Sequence, residues 1–235
     1  MDVVIEESVS FVGSKLNSIM EELRDKESII QNTLKQLKAN NFEVYFAEDT
    51  AKAKAIFEND ILPNIKFKSA SYADSITMRE TGALDLLQNN QDIEFIDTFS
   101  PNDDWDTRII KRKQALTVDL FLTGTNAITE SGYLVNLDMI GNRVAPLTFG
   151  PEHVVLFIGT NKIVKDKEEA FHRIKTIAAT LNAQRHTNFK IPCQTTGVCV
   201  DCKSKQRICN SWVITEKSFP KHRIKVILIN QDLGY

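Results

Sequence analysis

The chain has 235 residues, 42% hydrophobic and 26% charged, which is enough apolar mass for one sizeable core. Lys and Arg total 29 against 31 Asp and Glu, so no global positive field exists and nucleic acid is not an expected partner. No apolar run reaches the length of a membrane span, and MDVVIEESVSF lacks the basic-then-apolar order of an export signal, so a cytoplasmic protein with reduced cysteines is expected.

In chain order, apolar residues from Val9 to Leu23 and from Ile29 to Leu37 recur at three- and four-residue steps and predict two amphipathic helices. FEVYFA, from Phe42, reads as a strand, with Asp49 and Thr50 as N-caps of a helix reaching Phe57. A short strand at Ile65–Phe67, a helix near Asp74–Leu87, a strand at Ile93–Ile96 and a helix near Asp104–Leu116 follow. The apolar run Val118–Leu122 reads as a central strand buried on both faces. After it the pattern predicts a glycine-flanked loop at Gly124–Gly132, a strand at Tyr133–Leu137, a turn at Gly141 and Asn142, and a strand ending at Gly159. Asp166 caps the next helix, whose stripe Ala170, Ile174, Ile177, Ala178 and Leu181 is predicted to face the core, leaving Lys165, Lys167, Glu168 and Arg173 for solvent.

From about Asn182 proline, glycine, cysteine and lysine dominate until a last strand, Ile224–Ile229. The alternation predicts an α/β fold, three-layer α/β/α with a mainly parallel sheet. The expected organisation is one structural domain with N-terminal helices over 1–40, a core over 41–184, and a cysteine-containing appendage plus final strand over 185–235.

Ligands of open α/β sheets collect at the carboxyl ends of the strands, where GTNAITESG, Gly124–Gly132, is expected to lie. The segment offers the hydroxyls of Thr125 and Thr129, the Asn126 amide, the Glu130 carboxylate and a glycine that lets backbone approach a ligand. The same residue types also make tight turns, and on its own the segment reads as one. Asn136, Asp138, Asn142 and Arg143 follow closely, and Arg143 has the fork to clamp a small carboxylate. His153 precedes a strand and is placed to bring an imidazole to the same rim.

Cys193, Cys199, Cys202 and Cys209 stand in the order C-x5-C-x2-C-x6-C. Four thiols in one short loop suit either zinc or an iron–sulfur cluster, and the single C-x2-C knuckle leans away from a zinc ribbon. Basic residues between Arg185 and Lys225 outnumber Asp201 and Glu216, and cations beside thiolates stabilise a negatively charged metal centre.

The stretch from Gly124 to Val164 resembles the lactate-utilisation (LUD) domain family. The likeness extends through RIKTIAATLNAQR, PCQTTGVCVDCKSKQRICN and RIKVILINQDLGY, and more loosely through MRETGAL near Gly82. The resemblance implies the three-layer fold shared by ribose-phosphate isomerases and coenzyme A transferases. It also implies participation in oxidising lactate or a related 2-hydroxy acid to the 2-oxo acid, usually beside iron–sulfur partner subunits. KSASYADSIT, Lys68–Thr77, lacks the glycine-rich turn of related domains, which counts against cofactor cradling there. ITESG is similar to the short stretch carrying the acyl-accepting glutamate of class I coenzyme A transferases. That likeness leaves open a transferase or sugar-phosphate isomerase acting through Glu130, and a non-catalytic assembly subunit is the third reading.

Overall fold

The structure, a computed structural model, describes residues 24–235. The first of the two helices expected before residue 40, from Val9 to Leu23, lies outside the described residues; the second is α1, helical over 24–39. It buries Ile30, Leu34 and Leu37 on one side, as its three- and four-residue spacing requires.

The core is a six-stranded sheet in the order β1 (Glu43–Ala47), β10 (Ile224–Ile229), β7 (His153–Gly159), β4 (Leu120–Thr123), β2 (Ser69–Tyr72), β3 (Glu94–Ile96). Every neighbouring pair is parallel. Side chains of a strand alternate between faces, and the central strands are covered on both, so β4 and β7 read as near-continuous apolar runs. In β7, Val154, Leu156 and Ile158 join α1 in one buried cluster, while Val155 and Phe157 join a second. That second cluster holds Phe57, Ile61, Met78, Leu84 and Leu87, from the helical segments α2 (Thr50–Ile56, continuing through Phe57–Ile61), α3 (Ile76–Thr81) and α4 (Ala83–Gln88). The architecture is a three-layer α/β/α fold.

A smaller sheet, in the order β8 (Ile163–Val164), β5 (Ala127–Thr129), β6 (Leu134–Asp138), β9 (Ser211–Thr215), sits beside the carboxyl ends of the main strands. It packs Ala127, Val135 and Leu137 against Ala170 and Ile174 of α7 (Lys167–Arg173) and the turns that continue it into α8 (Ala179–Arg185). Asp49, Asp104 and Asp166 accept the N-capping hydrogen bonds of α2, α5 (Trp105–Gln114) and α7. Among the described residues no helix is long and apolar enough to cross a membrane.

Several local expectations change. The strand expected at Ile65–Phe67 forms instead at Ser69–Tyr72, because the Asp119 carboxylate accepts from the backbone of Lys68 (2.7 Å) and Ser69 (3.0 Å) and starts the pairing with β4 there. The helix expected over Asp74–Leu87 is broken at Gly82, whose φ of 67° only glycine adopts freely. The Gly124–Gly132 segment is not all loop, since β5 runs through it, and a short helix, α6 (Val144–Thr148), follows the Gly141–Asn142 turn. The final strand is no part of an appendage: β10 lies inside the main sheet between β1 and β7, all six residues buried.

Candidate functional site

The carboxyl ends of β2, β4 and β7 open into a cavity of about 510 Å³. Its floor is Asp74 and Ser75 after β2, Gly124, Thr125 and Asn126 after β4, and Lys162 in the turn after β7. Gly124 is required for the close approach of these loops: a Cβ there would stand 2.5 Å from the Ser75 hydroxyl.

Arg143, just before α6, locks the floor. It donates to Asn136 Oδ1, to Asn126 Oδ1 (2.7 Å) and to the Leu137 carbonyl (2.9 Å), and its Nε lies 3.5 Å from Asp138. The guanidinium fork is therefore occupied by the protein rather than held open as a carboxylate clamp. Asp138 in turn accepts from the backbone of Ile140 and Gly141 and shapes the turn that presents Arg143. Thr125 is buried and bonds inward, to the carbonyls of Ala127 and Val135.

Arg173, expected in solvent, is only 7% exposed: its Nη1 donates 2.7 Å to the Asn126 carbonyl and its Nε 3.2 Å to Asn161. A helical wheel of α7 alone cannot show that the second sheet covers this side of the helix.

Thr125, Asn126, Asp138, Asn142 and Arg143 thus line one cavity, but Thr129 and Glu130 do not. These two occupy the far end of β5. Thr129 is fully buried and closes the turn by accepting from Tyr133 N and bonding Ser131. The Glu130 backbone bonds Val164 and the Asn32 side chain. Gly132 serves packing rather than ligand approach, since a Cβ there would lie 2.8 Å from the backbone of α1. His153 begins β7 while the cavity lies past its end, roughly 20 Å away at the usual rise of a strand, so the imidazole does not reach this rim.

The most perturbed group on the floor is one that sequence reasoning missed. Lys162 is 4% exposed, and its Nζ donates 2.9 Å to the Thr77 hydroxyl; among the described residues it has no ion pair. Burial, reinforced by the neighbouring Arg173 and Arg143, pushes its amine down to about 7, with Glu80 opposing weakly. Its only sequence signal is position, in the turn directly after an apolar strand.

The outer wall carries more positive charge. Arg112 stacks on Phe99 (4.9 Å) and Trp105 (5.6 Å), and the Nε atoms of Arg108 and Arg112 are buried without a partner. Burial and the adjacent Arg108 lower Arg112, against the pull of Asp138. Arg185 is paired at 2.8 Å with Asp74. Burial acts to raise the Asp74 carboxyl, but Arg79 and Arg185 outweigh it and hold it below its ordinary value.

The four cysteines follow α8 on α9 (Pro192–Thr196) and the loop to β9. All are partly exposed free thiols. Cys193 and Cys202 pack on Ala183, Ile191 and Ile208, and Cys209 forms part of the cavity wall. Arg207 binds the Cys209 sulfur at 3.1 Å and the Cys202 carbonyl at 2.8 Å. Among the described residues no three His, Cys, Asp or Glu side chains already stand together at metal-ligand spacing.

A family model described as the LUD domain matches residues 30–229. Among solved structures, a DUF162 family protein from Deinococcus radiodurans is similar with a TM-score of 0.51 at 10% identity, over 87% of this chain and 98% of that one. At that identity the likeness concerns the fold. No curated protein matches the chain.

Proposed function

This chain belongs to the LUD domain family and is thereby related to lactate utilisation, and from that premise we propose that its cavity binds a small carboxylate of the 2-hydroxy or 2-oxo acid class. The observation that carries this reading is uncompensated charge. Four arginines line the cavity against the carboxylates of Asp74 and Asp138. Arg143 and Arg185 are spent on Asp138 and Asp74, which leaves Arg108 and Arg112 as the groups an anion would satisfy. Cations in a partly dry cleft bind anions far better than the same groups in water.

Calorimetry with L-lactate and pyruvate tests the reading. Binding that weakens about tenfold or more in Arg112→Ala supports it, the loss expected for one partly buried charge-assisted contact. No heat with either acid would sink it. Because the Glu130 carboxylate stands off the cavity, Glu130→Gln is expected to leave binding unchanged. A fall in affinity there would instead favour the transferase or isomerase reading.

For the cysteine loop we propose a four-thiolate metal centre, zinc or iron–sulfur. The donor chemistry fits: four unpaired thiols in one loop, with Arg207 on the Cys209 sulfur and Lys175 and Arg207 holding Asp201 at 2.6 and 3.2 Å. Loading would draw the thiols together. A bound cluster would supply one-electron transfer beside the cavity, whereas zinc would only fasten the loop. Protein purified without oxygen is expected to contain iron or zinc, lost in Cys202→Ser. A colourless, metal-free preparation from metal-replete cells would overturn the proposal.

A further inference from the structure

Anion binding leaves one nucleophile on the cavity floor without a use. Lys162 is buried in the turn between β7 and β8, and its one hydrogen bond among the described residues goes to a neutral hydroxyl, that of Thr77. The charged groups that face it are Arg143 and Arg173 at close quarters and Glu80 more remotely. Two guanidiniums beside an amine disfavour its ammonium form, and desolvation acts in the same direction. A lysine buried next to other cations is a recognised activated amine, because the nitrogen keeps its lone pair near neutral pH. A purely structural lysine at this depth is ordinarily paired with a carboxylate, and among the described residues this one is not.

We propose that the Lys162 amine adds to the ketone of a 2-oxo acid held in the cavity and forms an imine. This rests on the small-carboxylate reading above. The nitrogen lone pair bonds to the carbonyl carbon, the carbonyl π pair moves to oxygen, and that oxygen takes the proton the nitrogen loses. The carbinolamine then expels its hydroxyl as water, taking one further proton from solvent, and leaves a protonated imine. No electron leaves or enters, so no oxidant is needed. The substrate carboxylate compensates the new positive charge on nitrogen, which the free lysine lacks the partner to do.

The test is reductive trapping of the full chain. Protein is incubated with pyruvate at about pH 8, above the amine's own value, then reduced with borohydride and mapped by mass spectrometry. The expected result is an adduct equal in mass to the acid less one oxygen on the peptide carrying Lys162. It should exceed labelling of any other lysine by roughly tenfold, as positioning in a site predicts. L-lactate, which has no ketone, should give none, and Lys162→Met, shown folded by circular dichroism, should give none from pyruvate. If calorimetry detects pyruvate but trapping leaves Lys162 unmodified, the imine is overturned and the carboxylate reading stands. If neither acid binds, both fall.

Discussion

Lys162→Met is expected to raise stability at neutral and acidic pH by up to about 5 kcal/mol, the equivalent of the fall in its amine from 10.5 to about 7. Below about 7 the lysine is protonated in both folded and unfolded chains, so the folded state bears the whole cost of a buried ammonium beside Arg143 and Arg173. Between about 7 and 10.5 the unfolded chain keeps a proton that the folded chain has lost, and stability rises with pH. Above 10.5 the amine is neutral in both and the cost is gone. Urea unfolding of the two chains from about pH 6 to pH 10 checks this: the advantage of the methionine variant should shrink as pH rises. An advantage that stays flat, or a variant less stable at every pH, would mean that the lysine is already compensated. Such a cost, borne without a carboxylate partner, is what a site kept ready for a ligand carries.

Arg143→Met is expected to cost about 3–5 kcal/mol, because it leaves the buried Asp138 carboxylate without its counter-charge and takes a charged donor from its neighbours. Asn126 Oδ1, Asn136 Oδ1 and the Leu137 carbonyl each lose a charged donor with this one guanidinium, and Asp138, which keeps the backbone donors of Ile140 and Gly141, loses its counter-charge. Arg143→Lys is not expected to rescue it, since a single ammonium cannot reach acceptors spread around a planar fork. Denaturant midpoints measure the loss, and carboxylate binding measured on the same preparations should disappear, because the floor of the cavity is what this network builds. A loss under about 1 kcal/mol would place Arg143 among surface-like ion pairs and remove its positioning role.

Arg143 and Lys162 are neighbours on the cavity floor that differ in legibility. Arg143 was visible in the sequence because it follows a cluster of amides and a carboxylate after a strand. What the sequence suggested for it, a fork open to ligand, differs from its place in the structure, where its donors tie β6 to the Gly124–Asn126 loop. Lys162 carried no signal beyond its position. Its burial depends on Thr77 of α3, eighty-five residues away in sequence, and on Arg173 from the helix that follows. The GTN end of the segment read as a binding loop reaches the cavity and the ESG end does not, because β5 runs between them and carries the two ends apart.

What the sequence determined by itself was whatever depends on local chemistry. The unbroken apolar run of β4 demanded a strand covered on both faces, and the aspartates at 49 and 166 marked helix starts through hydrogen bonds spanning three residues. Tertiary structure alone decided the order of the strands, which seats the last one between the first and the seventh, the shift of β2 to Ser69, and the burial of Arg173 and Lys162. The physical reason is range: caps and periodicity act within a turn or two. The desolvation that sets the charge state of Lys162 comes instead from side chains that meet only when both sheets are assembled.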